Sequence, residues 1–302
     1  MPIEIPKDRW PGAVKAVTLG ATAQDGGTRT STVTVGGERT LPFLHFEEAP
    51  PHRPAIALEI TPVRPDDWSV CGSVGADLIV VSLRLQDAAG DPVSPDLAVR
   101  SVTTVLESTG LPLIVLGPGQ AEVDNELLVA VADAAKGERL ALGLCEHGNY
   151  RTIVAAAMAN DHLVVSRTPM DVNLAKQLII LITDMGLPLE RILMDPTTAA
   201  LGYGIEYGYS VMERLRIAAL QGDVMTQLPL FVNPGHEAWK TKEAKVGQGV
   251  PDAWGDWGER AVSWETITAV ALIEAGADVV VLRHPESLTR VKAAVDELMT
   301  VE

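Results

Sequence analysis

Hydrophobic positions along the chain follow two rhythms. Eight short, continuous apolar runs, at residues 56–61, 77–83, 113–117, 140–144, 163–166, 192–195, 230–233 and 279–283, end in small or polar residues. Runs of this length, rich in Val, Ile and Leu, suit parallel strands buried on both faces. Between them lie stretches with helical spacing: Val99, Val102 and Leu106; Val123, Leu127 and Val131; Leu174, Leu178, Leu181 and Met185; Leu288, Val291, Val295 and Leu298. Ser94-Pro95 has the residues of a helix start, and Gly110, Gly137 and Gly186 stand where helices stop. Eight β-then-α units over residues 56–299 predict an α/β fold, a (β/α)8 TIM barrel, for which about 250 residues are typical. An open doubly wound sheet is the alternative. It needs a phosphate-binding glycine loop, and neither G-x-G-x-x-G after the first run nor G-x-x-x-x-G-K-[ST] is present.

The first 55 residues differ. Residues 14–19 and 32–35 carry apolar or β-branched residues separated by Gly-rich turns, which predicts a β-hairpin, and Pro50, Pro51 and Pro54 mark a boundary. Residues 1–55 are therefore read as an N-terminal β-hairpin extension and residues 56–302 as the barrel.

With 302 residues and 47% hydrophobic positions, the chain can bury a sizeable core. Twenty-four Lys and Arg against 40 Asp and Glu give a formal charge of −16, which argues against nucleic acid and anionic membrane as partners. Cys71 and Cys145 are too few for an iron–sulfur cluster held by this chain alone. The start of the chain lacks the pattern of a secretion signal and no apolar run is long enough to cross a bilayer, so a cytoplasmic location is expected.

In a barrel, binding and catalytic residues gather at the carboxyl ends of the strands. There the sequence places Glu59 and Thr61, Ser82 and Arg84, Glu146 to Asn149, Ser166 to Thr168, Asp195 to Thr198, Asn233 to Glu237, and Arg283-His284. Glu146-His147 and His236-Glu237 have ligand chemistry without the spacing of a metal motif, so no metal site is expected. Asp195 suits either a general base or ligand contact, or a cap on the following turn. No strand run contains a lysine for Schiff-base chemistry. Residues 236–261 form a long excursion; with Trp264 counted, it carries Trp239, Trp254 and Trp257, four of the six tryptophans. A loop of that length and aromaticity is read as a ligand or partner surface, with a lid packed on its own barrel as the alternative.

The run from Asp195 through Gly204-Ile205-Glu206-Tyr207 to Met212-Glu213-Arg214 resembles the small subunit of the corrinoid iron–sulfur protein, the delta subunit of acetyl-CoA decarbonylase/synthase. Gly26-Gly27-Thr28-Arg29, Gly75-Ala76-Asp77, Asn149-Tyr150, Glu237-Ala238-Trp239 and Arg283-His284-Pro285-Glu286 resemble it too, so the likeness runs along the whole chain. Residues 62–74 look shorter than the family's corresponding stretch.

The resemblance implies a heterodimer. The large subunit carries the iron–sulfur cluster and a cobalamin domain, and the corrinoid lies between that domain and the mouth of this barrel. This chain then covers the cofactor without holding a cluster and is not catalytic alone. The methyl group comes from methyltetrahydrofolate on a separate methyltransferase and goes to the nickel centre of acetyl-CoA synthase, in the Wood–Ljungdahl route of carbon fixation. Motif position and barrel geometry select Asn149, Asp195, Thr197, Thr198, Gly202, Asn233 and His284 as cofactor-binding residues. A methyltetrahydrofolate:corrinoid methyltransferase barrel, with Asp195, Asn149 and Asn233 on the pterin, is the competing enzyme reading. A barrel lyase and a structural protein without a partner are weaker alternatives.

Overall fold

The computed structural model describes residues 10–41, 52–61 and 75–300. Two short strands, β1 (Val17–Leu19) and β2 (Val33–Val35), pair antiparallel. Eight parallel strands follow: β3 (Ala55–Ile60), β4 (Leu78–Ser82), β5 (Leu113–Leu116), β6 (Ala141–Cys145), β7 (Leu163–Arg167), β8 (Ile192–Asp195), β9 (Leu230–Val232) and β10 (Ala277–Leu282). The sheet closes because β10 pairs with both β9 and β3. This is the predicted TIM barrel, and closure excludes the open sheet.

The helices are α1 (Pro95–Ser108), α2 (Ala121–Ala134), α3 (Tyr150–Ala159), α4 (Val172–Asp184), α5 (Ile205–Leu220), α6 (Pro234–Ala238), α7 (Lys242–Lys245), α8 (Trp257–Glu274) and α9 (Pro285–Met299). The Ser94 hydroxyl accepts from Leu97 N at 3.2 Å and Pro95 takes the first helical position, so α1 starts as its sequence dictates. The helix expected after the first barrel strand, and the short stretch 62–74 with Cys71, lie outside the described residues.

One predicted helix face is rotated. On α4 the buried positions are Ala175, Leu178, Ile179 and Ile182, while Leu174 is 44% exposed. Residues 178–182 are apolar on every side. Spacing alone therefore does not fix the arc, and packing selects it.

Strand residues alternate between two apolar groups. Ile56, Leu58, Ile79, Val81, Val164 and Val280 pack outward against the helices. Ala57, Val80, Ile114, Val165, Leu193, Phe231 and Val281 fill the barrel interior. Val17, Leu19 and Val35 of the hairpin join that interior group. The hairpin is thus packed across the amino-terminal end of the barrel. Main-chain bonds fix it there, from Gly20 N to Arg139 O (3.1 Å), Thr30 N to Gly110 O (2.9 Å) and Lys15 N to Gln227 O (3.0 Å). Each acceptor lies just ahead of a barrel strand.

Two buried arginines tie the extension to the barrel. Arg29 donates through Nε to Glu138 (2.9 Å) and through its terminal nitrogens to Thr109 O (2.5 Å) and Leu106 O (2.8 Å). It thereby satisfies carbonyls that α1 leaves open at its end. Arg216 donates to Glu38 (2.6 Å) and Asp278 (2.7 Å). His52 lies beside Glu38 in the same cluster. Burial, and then the nearby Glu38, hold the Asp278 carboxyl well above its ordinary range despite Arg216.

Candidate functional site

The alternation that fills the interior also builds the site. Continuing each inward row by two residues reaches Glu59 after Ala57, Ser82 after Val80, Arg167 after Val165, Asp195 after Leu193, Asn233 after Phe231 and Arg283 after Val281. Apolar tiers therefore give way to one polar tier at the carboxyl ends of the strands. This tier lines a cavity of about 1100 Å³ that also takes in Arg84, Thr197, Thr198, His236, Glu237 and Lys240. Leu83, Leu116, Leu144 and Phe231 provide its apolar wall.

On one side stands a fixed guanidinium. Arg283 donates from Nε to Glu59 Oε2 at 2.7 Å and from Nη2 to Glu59 Oε1 at 2.9 Å. Its Nη2 also meets His236 Nδ1 at 2.6 Å. Glu265, fully buried on α8, accepts from the Arg283 main-chain N (2.5 Å) and from Trp239 Nε1 (3.0 Å). Burial by itself would push the Glu59 carboxyl up. The bonds and charge of Arg283, with a hydrogen bond from Ser82, outweigh it and hold the group below its ordinary value. The His236 imidazole is pushed down, first by burial and then by Arg283 and Lys240.

On the other side is a group of carboxylates around Arg167. Arg167 Nε lies 3.9 Å from Asp195 Oδ2 and 3.7 Å from Glu146 Oε1. Asp195 Oδ1 accepts from Thr197 N at 2.8 Å. Thr197 adopts φ +54°, a left-handed conformation unusual for a β-branched residue, and its hydroxyl donates to Thr168 O at 2.6 Å. Burial pushes the Asp195 carboxyl up to about 6 against the opposing pull of Arg167 and the Thr197 amide. Asp124, behind the wall, is also pushed up to about 6 by burial, although Gly119 N donates to it at 3.1 Å. Gly117 passes so close that a Cβ there falls 2.4 Å from Asp124 Oδ1.

Four of the residues selected from sequence, Asp195, Thr197, Thr198 and Asn233, come together at this cavity. Asn233 also caps α6 by accepting from His236 N at 2.9 Å. Asn149, Gly202 and His284 are not among the lining residues. Both ends of the Asn149 amide are used within its own loop: Oδ1 accepts from Glu146 N (2.7 Å) and Nδ2 donates to Leu144 O (3.0 Å). His284 accepts from Glu286 N at 3.1 Å to cap α9 and stacks on Trp239, ring centres 6.0 Å apart. Gly202 is exposed with φ +76° in the connection from β8 to α5, over Trp264. Glu59, Arg167, His236 and Arg283 stood among the strand-end residues but were not selected. Counting by two from the interior apolar rows singles out Glu59, Arg167 and Arg283.

The Trp-rich excursion is ordered mainly by its own chain. Trp257 Nε1 donates to Ala244 O (2.7 Å) and Trp264 Nε1 to Leu201 O (3.2 Å). Arg260 donates to the carbonyls of Glu243, Val246, Trp254 and Gly255 and lies over the Trp254 ring. Among the described residues, no helix is long and apolar enough to cross a membrane.

The family model described as CO dehydrogenase/acetyl-CoA synthase delta subunit matches residues 16–292. The chain belongs to this family. Family members with similar sequences include the acetyl-CoA decarbonylase/synthase complex subunit delta of Archaeoglobus fulgidus, 36% identical over 97% of this chain and 70% of that protein. The subunit of the same name from Methanopyrus kandleri is 35% identical over 94% of this chain and 75% of that protein. Among solved structures, dihydropteroate synthase of Xanthomonas albilineans superposes with a TM-score of 0.57 at 16% identity, covering 83% of this chain and 95% of that one. At that identity the likeness shows a shared barrel, and the delta subunit family is defined by sequence.

Proposed function

We propose that this delta-family chain is the barrel subunit of a cytoplasmic corrinoid iron–sulfur protein. It covers, at its mouth, a corrinoid held by a larger partner. The observation that carries this reading is the donor set of the mouth: many hydrogen-bonding groups, with the imidazole among the lining residues, His236, held at Nδ1 by Arg283. Thr197, Thr198, Asn233 and the neutralised Glu59–Arg283 pair suit the amide side chains of a corrinoid rim, and the apolar wall suits its edge. Cys145 is fully buried on the helix-facing side of the barrel, with its thiol pushed far up by burial, so it offers no thiolate. The cobalt of a bound corrinoid would supply the nucleophile and carry the methyl group. This chain's residues would exclude water, orient the rim and add no ligand of their own to the metal.

In this reading the partners are the large subunit, the methyltetrahydrofolate methyltransferase and the nickel centre of acetyl-CoA synthase, along the Wood–Ljungdahl route. Co-expression with a large subunit tests it. A pair that co-purifies with a corrinoid spectrum absent from this chain alone supports it. A chain that ignores the partner but binds methyltetrahydrofolate overturns it in favour of a methyltransferase. That second reading draws on Asp195, a buried carboxyl facing the cavity and chemically suited to the amidine edge of a pterin.

A further inference from the structure

Arg283 leaves His236 one role at the mouth. The contact between Arg283 Nη2 and His236 Nδ1 is 2.6 Å. A guanidinium nitrogen has only protons to offer, so Nδ1 is the acceptor and carries none. The arginine is not free to turn away. Glu59 grips it at two points, and Glu265 holds its main-chain N. A neutral imidazole that accepts at Nδ1 keeps its proton on Nε2. Adding a second proton would set an N–H against the N–H of Arg283. Burial, Arg283 and Lys240 disfavour that charged form, and Glu59 and Glu237 on the same side do not offset them. Nε2 lies 3.9 Å from Glu237 Oε1, beyond hydrogen-bond reach, and that oxygen is taken by Lys240 at 2.9 Å. Among the described residues Nε2 makes no hydrogen bond, while the side chain is 43% exposed in the wall of the cavity.

We infer that Arg283 is a positioning residue that fixes His236 as the Nε2–H tautomer, so the ring meets the cavity as a hydrogen-bond donor to an amide or carbonyl oxygen and is withheld as a metal ligand. A ring nitrogen ligates through a lone pair. At Nδ1 the lone pair is committed to Arg283, and at Nε2 the proton occupies its place. To ligate, the ring must move its proton to Nδ1, against the guanidinium. The second half of the inference rests on the corrinoid reading. An imidazole is a good ligand for oxidised cobalt, and a histidine free to bind would close the position that methyl transfer needs open.

Two measurements separate the parts. Long-range proton–nitrogen correlation spectra of the full chain, with ¹⁵N-labelled histidine, report the tautomer without any cofactor. The expected result at pH 8 is a single His236 pattern with the proton on Nε2. A proton on Nδ1, or a mixed pattern, overturns the lock. In Arg283→Met the pattern becomes mixed and the His236 titration moves up toward the ordinary histidine range, with partial return in Arg283→Lys.

Cobinamide with oxidised cobalt, which has no lower base of its own, is then added to the co-expressed pair. Wild type is expected to show no imidazole ligation in the visible spectrum, Arg283→Met to show it, and Arg283→Met with His236→Gln to lose it again. Ligation in wild type, or none in Arg283→Met in a pair that binds cobinamide, overturns the withholding role. If the tautomer is as expected but no pair forms, the lock stands and the corrinoid reading fails.

Discussion

Glu59 and Arg283 end neighbouring strands and meet at two points, Nε to Oε2 at 2.7 Å and Nη2 to Oε1 at 2.9 Å, where β10 closes the barrel on β3. The Glu59 side chain is 2% exposed and that of Arg283 30%. Removing one partner of such a pair leaves a charge without its counter-ion, at about 3–5 kcal/mol when fully buried. The partial exposure of Arg283 puts Glu59→Ala below that range, at about 2–3 kcal/mol. Replacing both residues with apolar ones costs less than the sum of the single losses. Urea unfolding of the four-member cycle checks this, and additive losses would show that the pair is not coupled.

Asp195 makes stability depend on pH in a set direction. Its carboxyl is pushed from 3.8 up to about 6, first by burial. The folded chain therefore holds this proton more tightly than the unfolded chain. The contribution is complete below about 3.8 and is lost as pH rises through about 6. Asp195→Asn keeps the acceptor for Thr197 N and has no such proton to lose. The variant is expected to match wild type near pH 4 and to exceed it at pH 8 by up to about 3 kcal/mol. Urea midpoints at the two pH values decide it, and a wild-type advantage at pH 8 would contradict the shift.

Gly117 is required by Asp124. In Gly117→Ala the new Cβ falls 2.4 Å from Asp124 Oδ1, and crowding of this kind costs about 1–3 kcal/mol. Asp124→Ala alone should cost about 1 kcal/mol for the lost bond from Gly119 N. The double variant is expected to be more stable than Gly117→Ala, because the clashing oxygen is gone. Thermal unfolding that shows no recovery would place the strain elsewhere.

Arg260 holds the excursion between β9 and α8. Its guanidinium serves four carbonyls from Glu243 to Gly255. Arg260→Ala is expected to open residues 246–256 to limited proteolysis while the cooperative unfolding of the barrel shifts little. Unchanged cleavage would mean that Trp257 and its bond to Ala244 O suffice.

The barrel was legible because parallel strands buried on both faces leave an unmistakable run of Val, Ile and Leu, as at 78–81 and 279–282. The orientation of α4 was not, since residues 178–182 are apolar all round and Leu174 ends up exposed. At the mouth, Asp195, Thr197, Thr198 and Asn233, chosen for their place at strand ends, do line the cavity. Asn149 and His284 stood equally well in the sequence but lie outside the cavity lining, with the Asn149 amide and the His284 Nδ1 bonded to the main chain of their own loops. Asn and His both cap turns and bind ligands, and only the partner of each atom tells which. The contact of His236 with Arg283 joins residues 47 positions apart, a pairing that no local pattern carries.

The hairpin across the amino-terminal end gives the barrel a stopper. With Val17, Leu19 and Val35 seated in the interior apolar group, the amino-terminal end is closed among the described residues, and a guest at the mouth has no route through the barrel. In the arrangement proposed above, a partner standing on the mouth would control traffic as well as contact. The residence time of a guest would then be set by how often the two proteins part, and tightening that association would slow exchange even with every contact to the guest unchanged.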